Sequence, residues 1–150
     1  MSRAEMAIRN PGERKGKKDN SPTPKWFYEM LDAEFHFDYD PCPINPGGLR
    51  EFDGLGNDWG LRNYCNPPYS KKRLWIEKAI EQQAKGRLTV MLLPADTSTS
   101  WFHDLLLPNC EIRWVRGRLK QDNGKHPAYP SMLAIFKPTA SKAASEQEGA

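Results

Sequence analysis

Four consecutive residues, Asn66-Pro67-Pro68-Tyr69, set a side-chain amide, two prolines and a phenol side by side. Each proline fixes its own φ and restricts the residue before it, so the segment neither extends a strand nor opens an ordinary helix. It predicts a rigid loop at a strand end, where open α/β sheets bind ligands. The chemistry that such a loop suits is specific. An exocyclic amino nitrogen on an aromatic base is a poor nucleophile, because its lone pair is delocalised into the ring. Two acceptors held against its hydrogens favour the pyramidal form and free the lone pair to attack a sulfonium methyl group. The Asn66 side-chain oxygen and a main-chain carbonyl stiffened by the following proline supply two such acceptors. Tyr69 offers a stacking face for a base taken out of a duplex. No general base is needed, since the ammonium product is strongly acidic. Taken alone, the four residues also read as a plain proline turn before a helix.

The elements that must position this loop follow from pattern. Ser21-Pro22-Thr23-Pro24 predicts a helix start, with Thr23 as N-cap and Pro24 at the first helical position. Trp26, Phe27, Met30 and Leu31 follow at helical spacing. Phe35, Phe37 and Tyr39 alternate with His36, Asp38 and Asp40, predicting a short strand that ends at Asp40-Pro41. Residues 43–60 hold five Gly and two Pro and should be mostly loop. A short strand near Arg62–Cys65 then leads into Asn66. Lys71–Lys85 predicts an amphipathic helix with Ile76, Ala79, Ile80 and Ala84 on one face, stopped by Gly86. Leu88–Leu93 is a continuous apolar run, the pattern of a strand buried on both faces of a parallel sheet. Thr97–Ser100 can cap a helix carrying Trp101, Phe102, Leu105 and Leu106. Glu111–Leu119 and Met132–Lys137 read as two strands joined by a polar loop. The alternation points to a single α/β sheet with helices on its faces.

A chain of 150 residues fits one domain. No apolar run is long enough for a membrane span, and residues 1–20 lack a signal peptide's apolar stretch, so a soluble, cytoplasmic protein is expected. Cys42, Cys65 and Cys110 are odd in number and lack CxxC spacing, which favours reduced structural thiols over a disulfide framework or a metal site. Residues 1–20 carry six basic against three acidic side chains and no periodicity, reading as a disordered basic arm. Residues 139–150 read as a disordered tail, leaving 21–138 as the working domain. A basic arm on a nearly neutral domain suits a polyanion.

The block Tyr64-Cys65-Asn66-Pro67-Pro68-Tyr69-Ser70 is followed by Trp75, Lys78-Ala79, Leu92-Leu93-Pro94-Ala95-Asp96-Thr97-Ser98-Thr99, Trp101-Phe102 and Gly117-Arg118-Leu119. From about Thr23 to Phe136 this combination resembles the phage-type DNA N-6-adenine methyltransferase family. The resemblance implies a Rossmann-like methyltransferase fold, S-adenosylmethionine as methyl donor and adenine in DNA as acceptor. Asn66, Pro67, Pro68 and Tyr69 then match the family's catalytic loop. Thr23-Pro24 looks like the element that helps hold the donor's methionine part, where a helix N-terminus suits a carboxylate. Asp40-Pro41-Cys42 is similar to the acidic strand-end motif that accepts from the donor's ammonium. Pro43 stands there in place of the usual Ala or Gly, and Gly47 and Gly48 come later. Asp53-Gly54-Leu55 resembles the element that contacts the donor's adenine ring. No acidic residue for the donor's ribose stands out between Asp40 and Asp53.

Lys71, Lys72 and Arg73 follow the catalytic loop and suit phosphates near a base held at Tyr69. Arg113, Arg116, Arg118 and Lys120 form a second basic stretch suited to phosphate contact; on a strand, Arg116, Arg118 and Lys120 would share one face and Arg113 the other. The chain has no room for a separate recognition domain, so sequence choice falls to loops such as 120–130 or to the arm. The loop's chemistry also fits cytosine N4 or a protein glutamine amide, and a DNA-binding relative without activity would keep the same blocks. Oligomeric state is not legible.

Overall fold

The structure is a computed structural model that describes residues 21–45, 48–125 and 129–139. The expected arm (1–20), and all of the expected tail beyond residue 139, lie outside those residues.

Helix α1 spans Lys25–Phe35 and buries Phe27 and Leu31, one turn apart. Its start corrects the sequence reading. Pro24, not Thr23, is the N-cap, and its carbonyl accepts from Phe27 and Tyr28 N–H. The Thr23 hydroxyl is committed elsewhere, to Tyr64 and Asn66. The first helical N–H, on Lys25, donates instead to the Asp122 carboxylate at 3.0 and 3.3 Å. His36 ends the helix with a left-handed φ of 55°, and the Asp32 carboxylate catches Phe37 N–H.

The chain then runs extended along β1 (Arg62–Cys65), through Asp38 N–H to Arg62 C=O and Tyr64 N–H to Tyr39 C=O. The expected strand over 35–40 is therefore a single parallel bridge at Tyr39. After the loop come α2 (Lys72–Ala84), β2 (Leu88–Pro94), a π-type turn at Phe102–Leu106, β3 (Glu111–Trp114) and β4 (Ser131–Phe136). The sheet order is β1-β2-β4-β3. Its pairing is mixed: β1 and β2 are parallel, while β4 is antiparallel to both β2 and β3.

Side chains of β2 alternate between two apolar clusters. Val90 and Leu92 pack with Phe27, Leu31 and Tyr64 on the α1 side. Met91 and Leu93 pack with Trp75, Ile76, Ala79, Trp101 and Phe102 on the α2 side. Helices thus cover both faces, and β2 is buried on both, as its apolar run predicts. On α2 the buried face is displaced from the expected one: Ala84 is exposed, while Gln82 and Gln83 are buried. Gln82 accepts from Trp59 N–H and donates to the Asp58 carboxylate, and Gln83 donates to the carbonyls of Asn109 and Lys137, so the interior amides are satisfied.

Strand β3 is shorter than the expected Glu111–Leu119. Only Glu111–Trp114 pair, against Met132–Ile135. Beyond Trp114 the partner strand runs out at Pro130, which has no N–H, and Gly117 turns the chain at φ 70°. Arg116, Arg118 and Lys120 therefore sit in a loop, not along one strand face. Among the described residues no helix is long and apolar enough to cross a membrane, and no His, Cys, Asp and Glu cluster could hold a metal.

Candidate active site

Asn66 follows β1 directly, and the two prolines carry the chain off the sheet before a 3-10 turn at Tyr69–Lys71 leads into α2. The loop lies at the carboxyl end of two adjacent parallel segments, β1 and the extended stretch ending at Asp40. A cleft of about 280 Å³ opens there, with Thr23, Lys25, Asp40, Tyr64 and Asn66 in its wall.

The Asn66 amide has a fixed orientation. Its nitrogen donates to Ser21 C=O at 2.7 Å and to the Thr23 hydroxyl at 3.3 Å. Both N–H groups are spent on the segment before α1, and the side-chain oxygen faces the other way without a donor among the described residues. Thr23 is itself held by the Tyr64 hydroxyl at 2.5 Å. Tyr64 is fully buried, and burial pushes its phenol far up, so it stays protonated and can only bridge. The Asn66 carbonyl is taken by Arg50 Nη1 at 2.6 Å. The next carbonyl along, Pro67 C=O, meets no donor among the described residues.

Asp40 closes the opposite wall. Its carboxylate accepts from Cys42 N–H at 2.9 Å, in an Asx-type turn through Pro41. Burial pushes its carboxyl up to about 6, against the Cys42 hydrogen bond and the Arg50 charge, which pull it down; Glu51 adds to the rise. Cys42 and Cys65 are buried thiols whose sulfurs lie 3.3 Å apart beneath the two loops. Burial, and then Cys42 beside it, pushes the Cys65 thiol well up. Asp53 is exposed and stands outside the wall of the cleft. Its carboxylate caps the 3-10 turn Gly54–Gly56 by accepting from Leu55 N–H. Gly54 presses on the Asp40 loop, donating to Pro41 C=O; a Cβ at residue 54 would meet that oxygen at 2.5 Å.

Tyr69 is anchored at both ends. Its hydroxyl donates to Leu92 C=O on β2, and its ring lies 5.4 Å from Tyr129 at 45°. Of the three basic residues after it, Lys72 donates to Tyr69 C=O and lies over the Trp101 ring, which locks the turn. Arg73 pairs with Glu77, and Lys71 is exposed at the start of α2. Arg113 is committed to a two-pronged pair with Glu34 at 2.7 Å, and Arg116 and Arg118 are exposed. The structure thus gathers Thr23, Asp40 and Asn66 at one cleft, leads Pro67, Pro68 and Tyr69 away from its wall, and leaves Asp53, Arg116 and Arg118 off it. Arg50, Tyr64, Tyr129 and Asp122 are contributors that pattern did not single out.

The profile of the DNA N-6-adenine-methyltransferase (Dam) family matches residues 12–145. The chain belongs to that family. It is 30% identical over 146 residues to the DNA N-6-adenine-methyltransferase of Haemophilus phage HP1, covering 85% of this chain and 83% of the phage protein. It is 38% identical over 97 residues to the DNA N-6-adenine-methyltransferase of Escherichia phage T1, covering 63% of this chain and 41% of that protein. The chain therefore matches about two fifths of the T1 protein's length and most of the HP1 protein's. No solved structure matches it significantly.

Proposed function

We propose that this chain transfers the methyl group of S-adenosylmethionine to the N6 amino group of adenine in DNA, using residues 21–138 as a Rossmann-like methyltransferase domain. The observation that carries the reading is the pinned Asn66 amide: with its nitrogen spent on Ser21 and Thr23, only its oxygen is left to meet a substrate.

The chain's own groups fit the donor. A carboxyl that burial pushes up to about 6 is relieved by a cation, and Asp40 would hold the donor's ammonium while the Thr23–Lys25 wall faces its carboxylate. Asp53 lies outside the cleft wall, next to the Gly54 that donates to Pro41 C=O, and would meet the donor's adenine end only where that end extends past the cleft. When bound, S-adenosylmethionine supplies a methyl group on a sulfonium centre, open to direct displacement. Asn66 Oδ1 and Pro67 C=O accept the two amino hydrogens of the target adenine. These fixed acceptors favour the pyramidal nitrogen and stabilise the positive charge that develops on it. Because Arg50 already occupies the Asn66 carbonyl, the main-chain acceptor is the carbonyl one residue on. Tyr69, tied to β2 through its hydroxyl, stacks on the extruded base. Lys71 and Arg73, at the start of α2, contact the flanking phosphates, with the loop residues Arg116 and Arg118 further out.

Incubation with methyl-labelled donor and unmethylated DNA, followed by digestion to nucleosides, should place the label in N6-methyldeoxyadenosine. Label in cytosine or in protein would redirect the reading. Asn66→Ala should reduce transfer at least a thousandfold while donor binding, measured by calorimetry, changes less than threefold.

A further inference from the structure

We propose that Arg50 is a positioning residue for methyl transfer, tying the Asp40 loop to the catalytic loop through one guanidinium nitrogen and holding the charge state of the donor-side wall. This rests on the donor-site reading above. Arg50 Nη1 donates to Cys42 C=O at 2.7 Å and to Asn66 C=O at 2.6 Å. The two carbonyls belong to the two segments that must cooperate, one directly after Asp40 and one at the head of the proline loop. They converge on a single nitrogen, so without it two half-buried acceptors would face one another unpaired and repel.

A hairpin-like loop delivers the guanidinium. Ile44 and Arg50 form an antiparallel bridge, and the Asn45 side chain closes the turn by accepting from Leu49 N–H at 3.0 Å. This places a positive charge beside a carboxyl that burial would otherwise neutralise. The groups facing Asp40 are Arg50, which favours its ionised form; Glu51, which opposes it; the Cys42 N–H that bonds it; and the Cys65 thiol and the phenols of Tyr28 and Tyr64, which stay neutral. Lys25 and Cys42 share the same cleft wall. Arg50 is the nearby cation that bears on Asp40 from its own loop, while its reach to Asn66 sets where the loop's acceptors stand.

Three full-length proteins separate these roles: wild type, Arg50→Met and Arg50→Lys. The Asp40 carboxyl is followed by carbon-13 NMR titration without donor, donor affinity is measured at pH 6 and 7.5, and kcat and KM at pH 7.5. Arg50→Met should move the Asp40 midpoint alkaline by about one pH unit, weaken donor binding severalfold at pH 6 but less than twofold at pH 7.5, and lower kcat at least tenfold. Arg50→Lys keeps the charge on a shorter stem that reaches one carbonyl only. It should titrate within a few tenths of a unit of wild type and bind donor normally, yet still lose kcat about tenfold. Wild-type kcat in Arg50→Lys, or an unshifted Asp40 midpoint in a folded Arg50→Met, would overturn the proposal. Should Arg50→Met not fold, the lysine variant decides alone. The NMR titration needs no donor, so it stands even if wild type methylates nothing, which would sink the functional reading instead.

Discussion

On the proposed reading, Asp40 is a donor-binding residue that works against the fold that holds it. Its carboxyl titrates near 6 in the folded chain against an ordinary 3.8, so folding favours the protonated form. The charged form therefore costs stability, and that cost grows as pH rises from about 4 to 6 and stays constant above. A cationic donor wants the charged form. Donor affinity should thus level off near pH 7, fall about tenfold per unit below 6 and fall again above about 8 as the donor's own α-ammonium loses its proton, a profile that calorimetric titrations can follow. Asp40→Asn keeps the acceptor for Cys42 N–H and removes the charge. It should raise the melting temperature at pH 7.5 by roughly 4–8 °C and weaken donor binding more than thirtyfold. A variant that loses both stability and affinity would mean that Asp40 is structural. Asn66 was legible because its prolines act on the chain locally. Arg50 was not: its partners lie 8 and 16 positions away, and an arginine in a glycine-rich loop has no pattern to mark it.

At the level of elements, what pattern fixed is what one segment decides by itself. The apolar run of β2 and the helix stop at Gly86 (φ 86°) fall where they were expected. What pairing decides escaped it. β3 has strand-forming residues beyond Trp114 but no partner there, and the chain entering β4 arrives antiparallel, so the sheet is mixed. The same limit explains α1. Thr23 has a cap's chemistry, yet Tyr64 and Asn66 claim its hydroxyl, and a carboxylate from 97 positions away takes over at Lys25 N–H. That contact joins the 121–125 turn to the wall of the cleft. A carboxylate at a helix N-terminus is stabilising both as acceptor and against the helix dipole. Asp122→Ala should cost about 1 kcal/mol and lower the melting temperature by a few degrees, while Asp122→Asn recovers most of it. Calorimetric melts of the pair test this, and equal losses in both would assign the effect to charge rather than to the hydrogen bond.

For the whole molecule, the proposed activity requires a nearly neutral domain to hold a polyanion. Several of its cations are spent internally: Lys72 on Tyr69 and Trp101, Arg50 on two carbonyls and Arg113 on Glu34. The excess of charge stands instead in residues 1–20, with Arg14, Lys15, Lys17 and Lys18 close together. Each phosphate neutralised by such a side chain releases condensed counterion, and the logarithm of the binding constant then falls with the logarithm of salt by roughly 0.9 per contact. Replacing those four residues by Gln in the full chain should lower the salt slope of DNA binding by about 2–4, measured between 50 and 200 mM salt by fluorescence anisotropy. Affinity for DNA should drop most at low salt, and donor affinity should not change, because Thr23, Lys25, Asp40 and Asn66 of the cleft wall are left as they are. An unchanged slope would shift the electrostatic contact onto the folded face, where Lys71, Arg116 and Arg118 remain exposed, and substitutions there would then carry the salt dependence.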